Sequence, residues 1–288
     1  MRTDVLFHLD NRPTQDFARF LKDVQVPGDT LERIDGALQA RFFQKNPDGT
    51  PKERWDLETV NVGCPPAQFQ RHLWLCGFSA PRIPSRWQYT RAGWPGALVT
   101  RVAERLADLL DAWESGVRWE ENIVLGGKRE IMTGKEGPEA VLALTRPKLR
   151  VTPDEVRAIS AADWPKTEIE MMRWLWERVV MPVGLQSLPT EFVDAPMKPP
   201  MVPGGKLVRP STEDTIMQHL SRNPSPGGYI IFSGAPYGMA QDEAFWALLG
   251  PHGHTVETVG HAAPVLPIEN FMREVAGCVN RIRKARRV

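Results

Sequence analysis

The chain has 288 residues, 42% of them hydrophobic, 25% charged and 8% aromatic, the profile of a globular protein rather than a disordered or collagen-like one. Its 36 Lys and Arg nearly balance 35 Asp and Glu, so a net charge of +1 gives no reason to expect nucleic acid or an anionic membrane as partner. No stretch of about 18 apolar residues occurs, which argues against a transmembrane helix. The apolar run Val5 to Leu9 is too short for a signal peptide, and Cys64, Cys76 and Cys278 have no paired spacing. The expectation is a cytoplasmic protein with reduced thiols, Cys76 among them as a buried packing residue. The 26 prolines and 23 glycines stand modestly above average usage, so where the turns fall matters.

Residues 1–69 read as a mostly helical extension. Phe17, Phe20, Leu21 and Val24 recur at helical spacing, as do Leu31, Ile34 and Leu38, and Asn46 to Pro51 is a turn cluster. Residues 70–262 read as an α/β core. Leu73 to Cys76 is a candidate strand stopped by Gly77, and a loop rich in Pro and Trp follows. Leu98 to Trp113 is an amphipathic helix, and Asn122 to Leu125 a second strand stopped at Gly126-Gly127-Lys128-Arg129. Residues 130–163 read as irregular. Thr167 to Glu170 fits a capping box opening a helix through Val179, and Thr190 to Val193 is a third strand ending at Asp194. After the Pro- and Gly-rich stretch Pro196 to Pro210, Ser211 to Asp214 opens a helix reaching Leu220. Gly228 to Phe232 is the clearest strand, stopped at Ser233-Gly234-Ala235-Pro236-Tyr237; a helix over Gln241 to Leu249 and a strand over Thr255 to Val259 complete the series. Residues 263–288 read as a C-terminal helix with a basic end. Continuous apolar strands alternating with helices are the pattern of a parallel sheet.

The P-loop, dinucleotide and nucleophile-elbow motifs are absent, so position has to serve instead. In open parallel sheets ligands bind beyond the carboxyl ends of the strands. The turns at Gly77, Ser79, Gly126, Gly127, Asp194, Ser233 and Gly234 are placed to line such an edge. Lys128 and Arg129 would hold an anion, Ser233 and Tyr237 would orient the substrate, and Gln241 counts among the ligand-binding residues. Glu168, Glu170, Glu213 and Asp214 sit at helix starts, where capping is the commoner role and work as base or metal ligand the sharper one. His261, just after the last strand, reads as a solvated loop residue or, in the sharper reading, as a group placed for acid–base work. His252-Gly253-His254 lacks a third ligand for a metal. Trp74, Trp113, Trp119, Trp174, Trp176 and Trp246 read as core residues.

The order of these turns, Ile123 to Gly127, Thr167 to Met172, Ser211 to Thr215 and Ile231 to Tyr237, resembles the YdcF/SanA/ElyC-like family over residues 70–262. Leu125 stands where that family has Ser, Asp214 where it has Asn, and Gln241 near where it has Arg. The resemblance implies a three-layer Rossmann-like fold, a site at the strand carboxyl ends, and nucleotide-like ligands such as S-adenosylmethionine. The resulting expectation is a soluble α/β enzyme acting on a small anionic or nucleotide-like molecule. The alternative is a non-catalytic sensor or interaction module that contacts a protein partner through residues 1–69 or the basic tail.

Overall fold

A computed structural model of the protein describes residues 3–42, 64–200, 202–262 and 268–286. The turn cluster expected over Asn46 to Pro51 lies outside them. In chain order the elements are α1 (Gln15–Asp23), α2 (Leu31–Phe42), α3 (Pro66–Leu75), β1 (Arg91–Pro95), α4 (Val99–Glu114) and β2 (Glu121–Gly127). Three short helices follow, α5 (Thr133–Glu136), α6 (Pro138–Leu142) and α7 (Pro153–Ala158), across the stretch that reads as irregular. Then come α8 (Glu168–Arg178), α9 (Val183–Gln186), β3 (Thr190–Ala195), α10 (Thr212–Leu220), β4 (Gly228–Phe232), α11 (Gly238–Leu249), β5 (Thr255–Val259) and α12 (Ile268–Arg286).

These elements form two compact units. One comprises residues 83–234 and 248–260, and the other residues 1–82, 235–247 and 261–288. The first, here the sheet unit, holds five parallel strands in the order β3-β2-β1-β4-β5. Alternation along the strands separates its faces. Ala92, Trp94, Val124, Ile230 and Phe232 join the core under α4 and α8, together with Val102, Leu106, Met172 and Leu175. Ile123, Leu125, Tyr229 and Ile231 point the other way, where α10 packs across β2 and β3. The result is the expected three-layer α/β arrangement. The second, helical unit has its own core, with Phe17, Phe20, Leu31, Ile34, Phe69, Phe271 and Val275 fully buried among α1, α2, α3 and α12.

The first strand is not where the apolar run suggests. Leu73 to Leu75 lie in α3 and Cys76 caps it, while β1 is Arg91-Ala92-Gly93-Trp94-Pro95, inside the stretch read as loop. A four-residue apolar run fits a buried turn of helix as well as a strand. In β1 a glycine is needed, because a Cβ on Gly93 would lie 2.4 Å from Ile231 Cδ1 of β4. Two tryptophans also differ from expectation. Trp74 is 55% exposed and Trp246 42%, whereas Trp94, Trp119, Trp164 and Trp174 are buried.

The three cysteines are free and buried, and burial pushes the Cys76 thiol up to about 12 and raises that of Cys278, which leaves both as unreactive packing groups. No helix among the described residues is long and apolar enough to cross a membrane.

Candidate functional site at the carboxyl edge of the sheet

The chain runs outward from β1 through β2 to β3, then returns to the far side of β1 as β4 and β5. The order therefore reverses between β1 and β4, and the carboxyl ends of these strands are where an open α/β sheet offers a crevice. β1 ends at Pro95-Gly96, and Gly96 donates its N–H to Leu125 O of β2 at 2.7 Å. β2 ends at Gly126-Gly127, level with Asp194-Ala195 of β3. β4 ends at Phe232, followed by Ser233 and Gly234.

The capping box of α8 delivers a carboxyl group to this edge. Thr167 Oγ1 accepts from Glu170 N, and Glu170 Oε2 accepts from Thr167 N, so Glu170 is a cap. Glu168, the first residue of the helix, is left to point at the end of β1. A Cβ on Gly96 would lie 2.6 Å from its carboxyl carbon and from Oε2. Gly126 lets Ile169 come close to β2 in the same way, a Cβ there lying 2.9 Å from Ile169 Cδ1. The close approaches these glycines permit are made by the protein itself.

Glu168 shares one guanidinium with Glu136. Arg129 donates from Nη1 and Nη2 to the two oxygens of Glu136, each at 2.8 Å, and Met132 N adds a third hydrogen bond at 2.8 Å. Glu168 receives only longer contacts, 3.2 Å from Nε and 3.2 Å from Nη2, both on Oε1. The remaining Arg129 donor capacity goes to the carbonyls of Ala97 and Glu130. Glu136 is thus the well-solvated partner in protein terms, and Glu168 keeps Oε2 uncommitted while its side chain is 14% exposed. Burial raises the Glu168 pKa above the usual carboxylate range; Arg129 opposes this, Glu136 adds to it, and Arg209 opposes it. A partly accessible carboxyl held toward its protonated form is suited to giving or taking a proton.

The other expected residues fall into three groups. Ser233 Oγ is buried without a hydrogen-bond partner among the described residues, the residue being 2% exposed, and Asp194 Oδ1 is likewise unpartnered. Asp194 Oδ2 lies 3.7 Å from Lys128 Nζ. Asp214 is occupied: Ser211 donates to it from N at 2.6 Å and from Oγ at 2.8 Å, and Lys198 Nζ lies 2.6 Å away. Although burial would raise its pKa, Lys198 and Ser211 hold it below the ordinary value. Glu213 stands beside it in the first turn of α10. Gly77, Ser79, Tyr237, Gln241 and His261 belong to the helical unit, where Ser79 is buried and Gln241 Oε1 is buried without a hydrogen-bond partner.

Two features escape the sequence reading. Arg209 stands just before Pro210, whose ring packs on Gly127: a Cβ there would lie 2.3 Å from Pro210 Cγ. At the amino ends of the strands, His219 joins Glu191 at 3.0 Å through Nδ1 and the Tyr229 hydroxyl at 2.9 Å through Nε2. His254 is stacked edge-on against Tyr229 in the same cluster, which is buried and on the opposite edge from Glu168. Among the described residues no group of three or more His, Cys, Asp and Glu is arranged to hold a metal ion.

Compared with known proteins, the chain matches no protein-family model, no curated protein and no solved structure.

Proposed function

We propose that this chain is an enzyme acting on a small anionic or nucleotide-like molecule bound at the carboxyl edge of the parallel sheet, with Glu168 as the proton-transferring group. The observation that carries the reading is the Glu168 carboxyl, poised on Gly96 at the strand-order reversal with Oε2 uncommitted and its pKa raised. The unpartnered Ser233 hydroxyl, on the other strand flanking the reversal, supports it. Arg129 has a positioning role here: its donors are spent on Glu136, Glu168 and backbone carbonyls, so it sets the Glu168 carboxyl rather than gripping a ligand.

A nucleoside fits these residues less completely than an anion does. Rossmann sheets that hold a ribose place a carboxylate near the end of the second strand. Here β2 ends in Gly126-Gly127, and the carboxylates at this edge are Glu168, which already shares Arg129, and Asp194, one strand away. The residues present therefore suit the phosphate or carboxylate part of S-adenosylmethionine-like or nucleotide-like ligands, with Asp194 as the acceptor available to hydroxyls.

The test is a thermal-shift screen of nucleotides, sugar phosphates and S-adenosylmethionine, followed by turnover assays of each hit in the wild type and in Glu168→Gln. Hits that the wild type turns over and Glu168→Gln binds without turnover support the assignment. Equal turnover by the two proteins would remove Glu168 from the chemistry.

A further inference from the structure

We infer that Arg209 is the anion-holding residue of this site, gripping the phosphate or carboxylate of the ligand and setting it against the Glu168 carboxyl. The inference rests on the reading above and names the group that would select the ligand. Of the cations on this edge, Arg129 is spent on Glu136 and Glu168, Arg105 is buried with Nη1 on the Pro95 and Gly96 carbonyls at 2.8 and 3.0 Å, Lys128 is paired with Asp194 at 3.7 Å, and Lys198 with Asp214 at 2.6 Å. Arg209 is exposed and makes no hydrogen bond or ion pair with any described residue. It is also fixed in place. Lys198 and Val208 exchange backbone hydrogen bonds at 2.8 and 3.0 Å, and Pro210 is seated on Gly127, so the backbone on both sides of Arg209 is anchored.

The same two glycines bring the partners together. Ile169, next to Glu168, packs on Gly126, while Pro210, next to Arg209, packs on Gly127. Glu168 and Arg209 thus overhang the end of β2 from opposite faces of the sheet. Burial raises the Glu168 pKa; of the charged groups around it, Arg129 favours the ionised form, Glu136 opposes it and Arg209 adds to the side of ionisation, while Arg105 is turned to the Pro95 and Gly96 carbonyls at the same strand end. An exposed guanidinium offers a fork that matches phosphate or carboxylate oxygens. An anion seated there offsets the Arg209 charge, so Glu168 takes up a proton as the ligand binds. The ligand class is then a small molecule bearing a phosphate or carboxylate beside the atom that exchanges a proton with Glu168.

Isothermal titration with inorganic pyrophosphate and with succinate tests this and separates phosphate from carboxylate recognition. Each titration is run in two buffers of different ionisation enthalpy, with circular dichroism as the check on folding. The wild type should bind at least one of the two anions with proton uptake. Arg209→Gln should weaken that binding about tenfold or more, and Arg209→Lys by less, since it keeps the charge and loses the fork. Glu168→Gln should bind with up to one proton fewer taken up than the wild type, whichever protons the anion itself exchanges. Lys206→Gln, on the same loop, should bind as the wild type does. Equal weakening by Lys206→Gln and Arg209→Gln would overturn the inference, because general surface charge would then explain it. Wild-type affinity in Arg209→Gln, with Lys128→Gln weakened, would overturn the role of Arg209 alone. Failure of the wild type to bind either anion would overturn the anion site itself.

Discussion

At the scale of single residues, two buried acids are treated differently by their surroundings. Glu168 has a guanidinium against one oxygen, whereas Glu243, on α11 in the helical unit, is buried beside Asp242, and Arg281 and Arg286 offset this only partly. Burial, with Asp242 adding to it, pushes the Glu243 pKa up to about 7 from 4.5. The folded state therefore holds a proton that the unfolded chain has already lost between those values, so stability falls as pH rises through this window. Glu243→Gln removes the cost of ionising the buried group. It should be more stable than the wild type at pH 8 by about 1–3 kcal/mol, with a flatter stability profile through that window, as read from urea midpoints. Gly96 gives a second prediction at this scale. A methyl group there would meet the Glu168 carboxyl at 2.6 Å, and Arg129 limits how far that carboxyl can retreat. Gly96→Ala should therefore lose the proton uptake that accompanies anion binding about as completely as Glu168→Gln does, while urea unfolding shows a stability loss of about 1–2 kcal/mol.

At the scale of elements, helix starts were the most legible part of the sequence. Thr167 with Glu170 and Ser211 with Asp214 form the capping boxes their spacing implies, so α8 and α10 begin where expected. The start of α8 is also what places Glu168, and that makes the cap testable. Thr167→Ala should cost about 1 kcal/mol of stability and fray the first turn. Proton uptake on ligand binding should fall with it, whereas Thr152→Ala at the capping box of α7 should lower stability and leave that uptake unchanged. Titration calorimetry beside thermal melts separates the two variants. β4 was legible for a different reason, an apolar run opened and closed by glycines, and β5 by the β-branched residues of Thr255-Val256-Glu257-Thr258-Val259 stopped at Gly260. β1 was hidden because its central place in the sheet makes demands that ordinary strand composition does not meet. Arg91 needs Glu121 at 2.9 Å, Gly93 makes room for Ile231, and Pro95 closes the strand without a backbone donor. The site was half legible on the same grounds. Glu168 is announced by its helix start, but Arg209 sits in a Pro- and Gly-rich loop, and only folding sets it at the end of β2.

At the scale of the whole molecule, the first and last parts of the chain fold into one helical unit, and the basic tail is used there. Arg286 donates to the His8 carbonyl at 2.7 Å and to the Asn11 side chain at 2.8 Å, while Arg283 lies 2.7 Å from Asp35, joining α12 to α2. The two ends of that ion pair are unequally buried: the Asp35 side chain is 1% exposed, and that of Arg283 25%. Asp35 also accepts from the amides of Gln39 at 3.1 Å and Asn280 at 3.2 Å, so it is the hub of the contact between these helices. Removing one partner of a buried pair costs most when the charge left behind cannot reach water. Arg283→Ala leaves the Asp35 carboxylate enclosed with neutral amide donors only. Asp35→Asn leaves a guanidinium that is already a quarter exposed and has a flexible stem with which to reach solvent. The expected order of destabilisation is therefore Arg283→Ala above Asp35→Asn, about 3 kcal/mol against about 1–2, as measured by urea unfolding at pH 7. The double variant Asp35→Asn/Arg283→Met should recover part of the loss, because no charge remains buried and the methionine still covers the apolar surface between α2 and α12. Destabilisation in the opposite order, or a double variant worse than the sum of its parts, would mean that the pair is held by its packing rather than by its charge.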